Sequence, residues 1–483
     1  MSSSVDEYIE KVIKQGDDGS ELLAGLCAPT LKNSEHVDVI FNGMSGLAVL
    51  RIPDNYNVVA HTSLGDPDKL DAVEHTASLM DNLYRDAEVI NSKPLALIDV
   101  IDASVGRKET VRKIGETLVD RANENRVAII NGELAILGNR VKYEANVSGT
   151  LIGLVPKSLL PGVYERKDAR FVVFDPQGKA VHGNSDGVGT KTEFYERAGW
   201  FERALYDSLA MKLDDSSKNG ARARAVFDTI ERSGEVYPEI LDREASRLGK
   251  KMGFEYVLVY RDAGSRLQGW REGAPVFNVG GSAITVIDEE YLKNPLIPRE
   301  GDYVVAIRGW PNPRSNGITD KRRTMIRIFG NNWHETREGR MFLEFLAEPS
   351  TVFYPVFNEL IDSKIATSVT HMSGGALEGK FAKPLAKQGL YAALERIYEA
   401  DWRELAIAGF SFTPAEAAYA KWPMGNEGYI TTKKPDEAIA IIEKYKLYAK
   451  TVGQLEKAKN GRTGVELIGI KGSKGENVYF SGR

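Results

Sequence analysis

Apolar runs alternate with amphipathic segments along the first part of the chain. Residues 57–61, 95–100 and 126–130 are apolar runs of strand length. Between them, residues 72–84 and 109–123 carry apolar side chains at helical spacing. Strands and helices that alternate in this way predict an α/β or α+β domain.

The pattern then repeats further along the chain. Three acidic positions recur with a constant offset of 129 residues (215 − 86, 228 − 99 and 262 − 133), pairing Asp86 with Asp215, Asp99 with Asp228 and Glu133 with Asp262. Each copy closes with a strand of small and apolar residues, 148–155 in the first and 280–287 in the second. Because acids, strands and helices agree in one register, we expect residues 35–160 and 166–295 to share one fold and to face each other.

The remainder of the chain begins near Pro298 and has a different pattern. An alternating strand at residues 300–307 leads to Pro-Arg-Ser-Asn-Gly at 313–317. A helix at 352–361 and a strand at 365–370 precede His-Met-Ser-Gly-Gly-Ala at 371–376, and a further helix covers 435–445. The lysine-rich residues 444–474 are predicted to form a solvated face and a flexible tail.

Candidate chemistry is concentrated at residues 185–192, Ser-Asp-Gly-Val-Gly-Thr-Lys-Thr, which follow the apolar run 171–174. Glycines let backbone N–H groups approach a ligand oxygen, Lys191 supplies a positive charge, and Asp186 can hold a divalent cation. The segment therefore suits a phosphorylated ligand with magnesium. The alternative is an Asp-Gly turn between a strand and a helix. We expect the side chains of Asp186, Lys191 and Lys69 to lie in solvent-accessible loops.

Composition narrows the class of protein. The chain has 483 residues, of which 42% are hydrophobic and 27% charged, as in ordinary soluble proteins. The net charge is −5, so the chain lacks the excess of positive charge that is typical of proteins that bind nucleic acid. Cys27 is the only cysteine, which excludes an intramolecular disulfide and favours a cytoplasmic protein. The sequence predicts neither a signal peptide nor a membrane span.

With these motifs in place, the chain resembles the aminoimidazole ribonucleotide synthetase (phosphoribosylformylglycinamidine cyclo-ligase) superfamily. That superfamily also includes formylglycinamidine synthetase, selenophosphate synthetase, thiamine-monophosphate kinase and hydrogenase-maturation enzymes. The resemblance is carried by residues 186–192, 210–215, 313–317 and 371–376, and it covers nearly the whole chain. The His-x-Ser/Thr-Gly-Gly turn at 371–375 is similar to that of the cyclo-ligase.

The resemblance implies an unusual order of domains. In the family, one N-terminal α/β domain precedes one C-terminal domain, and two chains pair their N-terminal domains with ATP sites at the junction. Here residues 1–165 would be a first, degenerate N-terminal-type copy, 166–297 a second copy with the phosphate and metal loop, and 298–483 the C-terminal α+β domain. The two copies would pair as an internal pseudo-dimeric sheet or barrel, and a further homodimer is left open.

The resemblance also implies one composite site for ATP and Mg²⁺. Leu64 is matched with Asp186, so the first copy lacks a metal ligand, whereas Asn-Gly-Glu at 131–133 is similar to the family's Gly-Gly-Glu segment. The implied catalytic residues are Lys191, His371 and Glu133, and the implied metal ligands are Asp186 and Asp215. The implied cofactor and anion loops contain Gly187, Val188, Gly189, Thr190, Lys191, Thr192, Ser315, Asn316, Gly317, Ser373, Gly374 and Gly375. The alternatives are N-capping or turn formation for Asp186 and Asp215, and turn formation for the loops at 315–317 and 373–375. Surface solvation for Lys191 and a structural role for His371 also remain as alternatives.

If the resemblance holds, the expected activity is ATP-dependent closure of formylglycinamidine ribonucleotide to aminoimidazole ribonucleotide, with release of ADP and phosphate. Two departures leave the substrate open, since Arg314 stands where the family has histidine and Ala376 replaces a third glycine. The alternatives are a related ATP-dependent kinase or synthetase acting on another phosphorylated small molecule, and a non-catalytic nucleotide-binding paralogue. No membrane or nucleic-acid partner is expected.

Overall fold

A computed structural model describes residues 19–41, 46–104, 106–233, 236–262, 266–458 and 461–482. Residues 42–45, in a small-residue segment that is typical of a loop entering a strand, lie outside the described residues. Contacts divide the chain into unit 1, Met1–Glu196 with Ala221–Lys293, and unit 2, Arg197–Gly220 with Asn294–Arg483. Residues 197–220, which fall within the second predicted domain, thus group with the C-terminal part. The three domain boundaries stay predictions.

The strands of the described residues are β1 Val37–Phe41, β2 Gly46–Leu50, β3 Tyr56–Leu64, β4 Lys93–Ala103, β5 Ala128–Ile136, β6 Ala145–Pro156, β7 Gly162–Arg166, β8 Ala169–Phe174, β9 Ala180–Gly187, β10 Arg222–Arg232, β11 Glu255–Asp262, β12 Phe277–Ile287, β13 Tyr303–Arg308, β14 Ala366–His371, β15 Leu390–Leu394, β16 Gly428–Thr432, β17 Tyr448–Lys457, β18 Gly464–Lys471 and β19 Asn477–Phe480.

The α-helices of the described residues are α1 Gly19–Cys27, α2 Ala72–Val89, α3 Lys108–Glu124, α4 Thr192–Ala198, α5 Ala204–Leu209, α6 Asp215–Ser217, α7 Pro238–Met252, α8 Glu289–Lys293, α9 Ile318–Phe329, α10 Arg337–Leu346, α11 Tyr354–Asp362, α12 Lys383–Lys387, α13 Trp402–Phe410, α14 Ala415–Lys421 and α15 Pro435–Lys444. Two π-helical turns, Ala210–Asp214 and Leu377–Ala382, interrupt helical segments of unit 2.

Local sequence explains where the long helices begin and end. At the start of α2, the Asp71 carboxylate accepts the N–H groups of Val73 and Glu74, and the helix then buries one apolar face. Helix α7 begins with Pro238, which is preorganised for the first turn, and ends before Gly253 at φ +84°. The predicted helices at 72–84 and 109–123 are confirmed as parts of α2 and α3.

Unit 1 contains two six-stranded sheets with the same core order. The first sheet runs β5-β4-β6-β3-β8-β7, and the second runs β11-β10-β12-β9-β2-β1. Strands β4 and β5 are parallel, as are β10 and β11, and the remaining equivalent pairs are antiparallel in both sheets. The repeat predicted from the acidic positions is therefore a repeat of topology.

The two copies also exchange their leading hairpins. Hairpin β1-β2 precedes the first copy but joins β9 of the second, and hairpin β7-β8 precedes the second copy but joins β3 of the first. The sheets pack face to face around one core that contains Ile98 and Ile152 from the first sheet and Phe227 and Ile284 from the second. The α/β pair of N-terminal-type domains predicted from the sequence is present in this form.

Strand register corrects one detail of the sequence alignment. In the first sheet Asp99 is opposite Gly149, which is opposite Ser63. In the second sheet Asp228 is opposite Gly281, which is opposite Asp186. Ser63, and not Leu64, is therefore the position equivalent to Asp186, because the aligned segments differ in length before these strands. The first copy still has no acid there.

Unit 2 is built on a seven-stranded sheet of order β14-β16-β13-β17-β15-β18-β19. Its central strand β13 is antiparallel to both β16 and β17. The lysine-rich residues predicted as a flexible tail instead form β17 and β18, so that prediction is wrong. Their apolar positions, such as Val452, Leu455 and Val465, are buried, while the lysines point outward.

Candidate functional site

The loop at 185–192 leaves the end of β9 in unit 1. The backbone N–H of Val188 donates to the carbonyl of Val279 (2.9 Å), which fixes the loop to the neighbouring strand. Gly189 has φ +62°, a conformation that favours glycine, and the Thr192 hydroxyl donates to its carbonyl (2.9 Å). The chain turns here from strand to helix α4.

The two charged side chains of this loop differ in exposure. Asp186 is partly exposed, and one carboxylate oxygen accepts the N–H of Gly187 (2.8 Å). Lys191 is fully buried, with its Nζ 5.8 Å from the centre of the Tyr195 ring. The expectation that Lys191 lies in a solvent-accessible loop is therefore wrong, because the residue sits in the 3₁₀ turn that enters α4. Lys69, in the first copy, is exposed as expected.

The first copy meets this loop through β5. The Asn131 side chain donates to the carbonyl of Gly183 (3.1 Å) and accepts from the hydroxyl of Ser185 (3.2 Å). Glu133 lies two residues further along the same strand and is partly exposed. We call residues 185–192 together with 131–133 the glycine-loop junction. Its two halves come from different copies, as the resemblance implies.

A buried ion pair lies behind the glycine-loop junction. Arg140, just after β5, forms two hydrogen bonds with Glu196 of helix α4 (2.5 and 3.0 Å), and neither side chain is more than 4% exposed. Arg140 also donates to the carbonyl of Phe277 (3.1 Å), and Glu196 accepts the N–H of the same residue (2.8 Å). The pair therefore holds the helix after the loop against the first copy.

The equivalent place in the other half of unit 1 is occupied by arginines. Arg266 donates to the carbonyls of Lys69 (2.5 Å), Pro67 (3.5 Å) and Ala145 (2.5 Å). Ala145 begins β6 as Phe277 begins β12, so Arg266 corresponds to Arg140. Arg261 donates to the carbonyl of Gly65 (2.6 Å) and pairs with Glu231. We call residues 63–70 with these two arginines the arginine junction.

Electrostatics distinguish the arginine junction. Arg266 is fully buried, and no carboxylate of the described residues forms an ion pair with it; burial lowers its pKa to about 10. Burial, together with the charge of Arg266, lowers the pKa of His75 to about 3. His75 contacts the same loop, since its Nδ1 lies 2.8 Å from the carbonyl of Asp66 and therefore carries the proton.

In unit 2, the predicted loops at 313–317 and 371–376 meet at Arg314. Its guanidinium donates to the carbonyls of Met372 (2.7 Å) and Thr351 (3.0 Å), to the Asp214 carboxylate (3.1 Å) and to Nδ1 of His371 (3.0 Å). Its carbon centre also lies 5.0 Å from the ring centre of Phe353. Arg314 is fully buried, so this charge is directed inward.

The neighbouring acids Asp214 and Asp215 have different environments. Burial raises the pKa of the Asp214 carboxyl to about 7, although Arg314 and the N–H of Tyr354 both donate to it. Burial would also raise the pKa of Asp215, but the ammonium groups of Lys218 (2.9 Å) and Lys380 (3.1 Å) hold that pKa well below its usual range. Asp214 and Lys380 both lie in π-helical turns, which often mark functional segments.

His371 completes this cluster. Its Nε2 has no hydrogen-bond partner among the described residues, and the closest acidic oxygen is that of Asp215 at 3.7 Å. Burial lowers the pKa of His371 to about 3, so the imidazole is neutral. It can act as a hydrogen-bond donor or acceptor, but not as an imidazolium acid at neutral pH.

The remaining predicted loop residues are packed together in unit 2. The Asn316 side chain donates to the carbonyl of Ser373 (2.9 Å), and the Ser315 hydroxyl donates to Asp207 (3.3 Å). A Cβ on Gly317 would fall 1.9 Å from Nε1 of Trp422, so glycine is required there. Gly374 and Gly375 are exposed at the turn that follows Ser373.

Ala376 occupies a backbone conformation with φ +36° and ψ −133°. This conformation suits glycine, which is the residue that the resemblance places there. The alanine is buried, and its N–H donates to the carbonyl of Ser373 (2.7 Å). The turn therefore persists despite the substitution.

The structure groups the predicted residues into two sets. Unit 1 contains Glu133 and residues 186–192, and unit 2 contains Asp215, residues 315–317, His371 and residues 373–375. Sequence reasoning missed Arg140, Glu196, Asp214 and Arg266, because isolated charged residues carry no motif. It named Arg314 only as a departure from the family, although that departure was the available signal.

The positions of the predicted metal ligands give limited support for metal coordination, because Asp215 is paired with lysines. Both oxygens of Asp215 face ammonium groups, so a cation there would have to replace Lys218 and Lys380. Within the described ranges, no group of three or more histidine, cysteine, aspartate or glutamate side chains is arranged to hold a metal ion. In the same part of the chain, no helix is both long and apolar enough to cross a membrane.

Comparisons with known proteins agree with this architecture. Residues 45–155 match the family described as AIR synthase related protein, N-terminal domain. The chain is 28% identical over 199 residues to a phosphoribosylformylglycinamidine cyclo-ligase of Thermococcus kodakarensis, covering 40% of this chain and 56% of the relative. It is 26% identical over 293 residues to that of Thermococcus gammatolerans, covering 59% of this chain and 82% of the relative.

Solved structures show a weaker likeness. A thiamine monophosphate kinase of Aquifex aeolicus has a TM-score of 0.38 and 12% identity, with 65% of this chain and 92% of that chain covered. Phosphoribosylformylglycinamidine synthase II of Thermotoga maritima has a TM-score of 0.37 and 12% identity, with 64% and 43% covered. At these scores the likeness carries no functional argument.

The paired α/β copies with a glycine loop at their junction are the feature that the comparisons bear on. Through the family match over residues 45–155 and the curated relatives, the chain is similar to the aminoimidazole ribonucleotide synthetase superfamily. The family match covers the first copy, while the intact glycine loop lies in the second.

Proposed function

We propose that the protein is an ATP-dependent cyclo-ligase that converts formylglycinamidine ribonucleotide to aminoimidazole ribonucleotide. The observation that carries the proposal is the glycine-loop junction, where Asn131 of the first copy is hydrogen-bonded to Ser185 of the second. The resemblance implies an ATP site at such a junction of two N-terminal-type domains. The curated relatives bear the cyclo-ligase name at 26–28% identity.

In this proposal the glycine loop binds the nucleotide phosphates. The backbone turns at Gly189, whose positive φ lets the loop curve around an anion, and Lys191 supplies positive charge from a buried position. A buried ammonium acts more strongly on charge that develops in the transition state, because little water screens it. Glu133 is the first copy's acidic contribution to the same junction.

Magnesium enters the proposal as the cation that accompanies ATP. Asp186 is the candidate residue to contact it, because its carboxylate lies at the glycine loop and is partly exposed. Asp215 does not fit this role as placed, since its oxygens face two lysines. No step is assigned to the metal.

The chemistry needs no protein nucleophile. Transfer of the γ-phosphoryl group of ATP to the substrate's carbonyl-type oxygen makes that oxygen a good leaving group, and ADP is released. The substrate's own nitrogen then attacks the same carbon, phosphate leaves, and the imidazole ring closes. Both reacting groups belong to one molecule, so the enzyme contributes positioning and charge neutralisation.

A related kinase or synthetase is the second candidate, and Arg314 favours it. The family's histidine at this position is replaced by a guanidinium whose donors are directed to protein groups, so the substrate surface near His371 differs from that of the cyclo-ligase. Such an enzyme would release ADP with a different phosphorylated substrate. It would not necessarily close a ring.

The test is ADP release by the purified chain across a panel of purine and thiamine precursors with MgATP. The proposal expects the fastest release with formylglycinamidine ribonucleotide, together with formation of the aminoimidazole product. Asp186→Asn serves as the control for contaminating activity. Release with another phosphorylated compound alone would favour the kinase or synthetase, and nucleotide binding without release would indicate a non-catalytic paralogue.

A further inference from the structure

Arg314 has a backbone conformation that needs an explanation. Its φ is +48°, which is uncommon for a residue with a side chain, and the residue is fully buried. Such strain persists when the surrounding structure over-determines it, and it often occurs at functional sites. Here the Asn312 side chain accepts the Arg314 N–H (2.8 Å), and the guanidinium contacts residues from three separate segments of unit 2.

The contact with His371 has only one chemically consistent direction. A guanidinium donates hydrogen bonds and accepts none, so Nδ1 of His371, 3.0 Å from Nη2 of Arg314, must be the acceptor. A neutral imidazole that accepts at Nδ1 carries its proton on Nε2. Arg314 therefore selects one of the two tautomers of His371.

The selected proton is directed to a place without a protein acceptor. Nε2 of His371 is buried and has no hydrogen-bond partner among the described residues, and the oxygen of Asp215 at 3.7 Å is beyond hydrogen-bond distance. A buried donor without an acceptor is costly unless a ligand satisfies it. The Asp215 carboxylate faces two ammonium groups, those of Lys218 (2.9 Å) and Lys380 (3.1 Å), so the charge next to Nε2 is net positive. These groups suit an anionic oxygen.

We propose that Arg314 is a positioning residue that fixes His371 as the neutral Nε2–H tautomer, so that this N–H donates to an anionic oxygen of the substrate. The inference rests on the proposed function for the identity of the substrate, but the tautomer does not depend on it. The same Nη2 also donates to the Asp214 carboxylate, while Nε and Nη1 donate to the carbonyls of Met372 and Thr351. The guanidinium itself does not contact the substrate.

The first experiment reads the tautomer directly in the full chain. The protein is labelled with ¹⁵N-histidine, and long-range ¹H–¹⁵N spectra assign each ring nitrogen as protonated or unprotonated. The chain has six histidines, and His371→Gln identifies the signals of His371 by their loss. We expect Nδ1 unprotonated and Nε2 protonated in the wild type. A protonated Nδ1 would overturn the proposal.

Variants then separate positioning from folding. Arg314→Lys keeps the charge and one donor, and Arg314→Met keeps neither. We expect the Nε2–H signature in Arg314→Lys and a mixture of tautomers in Arg314→Met. If Arg314→Met does not fold, the Arg314→Lys spectrum together with that of Arg314→His, which restores the family's residue, tests the same point. An unchanged single tautomer in a folded Arg314→Met or Arg314→His would overturn the role.

Activity provides the final readout. We expect Arg314→Lys to retain kcat within about tenfold of the wild type. Arg314→Met should lose about 10²-fold in kcat/KM, comparable to the loss of one positioned donor. Equal losses in both folded variants would contradict a role through the tautomer. If the wild type releases no ADP with any substrate, the proposed function fails while the tautomer result still stands.

Discussion

The glycine-loop junction and the arginine junction are built from equivalent strands, but the buried arginine at each junction has different hydrogen-bond partners. In the glycine-loop junction Arg140 is neutralised by Glu196 on the helix behind the loop. In the arginine junction Arg266 reaches the loop itself and donates to the carbonyls of Pro67 and Lys69. The arginine therefore binds the loop directly in the arginine junction, whereas in the glycine-loop junction it binds the helix that follows the loop.

This difference shows how a duplicated domain can divide its roles. A pair of identical domains would have two equal junctions, but a fused pair can change each one separately. The first copy has Glu133 and lacks an acid at Ser63, while the second copy has Asp186 and carries Val259 at the strand position of Glu133. The proposed function expects a purely structural arginine junction, and four experiments test how far this division extends.

The largest expected effect comes from the buried arginines. Arg140→Met would leave the Glu196 carboxylate buried without its cation, which costs about 3–5 kcal/mol of unfolding free energy. Arg266→Met would leave only neutral carbonyls without donors, at about 1–3 kcal/mol. Urea unfolding of the two variants measures the difference. A loss for Arg266→Met equal to that for Arg140→Met would contradict the comparison.

The second effect concerns turnover at the proposed site. Asp186→Asn should slow ADP release about 10²–10³-fold, because it removes a charged contact at the proposed phosphate loop. Ser63→Asn, at the equivalent position of the first copy, should change turnover by less than about tenfold, or 1.4 kcal/mol of barrier.

Lys191→Gln and Lys69→Gln form a second matched pair for the same comparison. Lys191→Gln should slow ADP release as much as Asp186→Asn does. Lys69→Gln should change ADP release as little as Ser63→Asn does. Because Lys191 is buried, a thermal melt accompanies its assay to separate lost folding from lost turnover. Equal losses at Lys69 and Lys191 would mean that both junctions are active.

The third effect concerns stoichiometry. If only the glycine-loop junction binds nucleotide, calorimetry should give one ATP per chain. A single site at 100 times its Kd raises the unfolding free energy by about 2.7 kcal/mol. Two equivalent sites per chain would show that Arg261 and Arg266 do not close the arginine junction.

The smallest effect is a pH dependence of stability in the first copy. The folded-state pKa of His75, about 3, lies below its ordinary value of 6.5. Its contribution to stability is therefore complete above pH 6.5 and is lost as the pH falls toward 3, by at most about 1.4 kcal/mol per pH unit.

His75→Gln should reduce this slope in unfolding experiments between pH 6.5 and 4.5. His61, whose burial lowers its pKa to about 4, adds its own slope in the same range. The readout is therefore the difference between variant and wild type, and His61→Gln provides the matched control. An unchanged slope in His75→Gln would show that this imidazole is not buried as neutral in solution.

Much of unit 1 could be predicted from the sequence because local signals agreed there. Helical spacing identified α2 and α3, and the constant offset between Asp99 and Asp228 identified the repeat. Strands β17 and β18 were missed because their lysines dominate the composition, although alternating apolar residues are buried. A strand can pack through the apolar side chains of one face alone, so the overall polarity of residues 444–474 did not predict their secondary structure.

The repeated fold, the glycine loop at residues 185–192 and the candidate loops of the C-terminal part can be derived from the sequence alone. These follow from periodicity and from glycine positions, which act over a few residues. The exchange of hairpins, the burial of Lys191 and the partners of Arg140, Arg266 and Arg314 become visible only in the folded chain. Those depend on which charged groups distant parts of the chain bring together, because burial makes each unpaired charge costly and no local pattern records its partner.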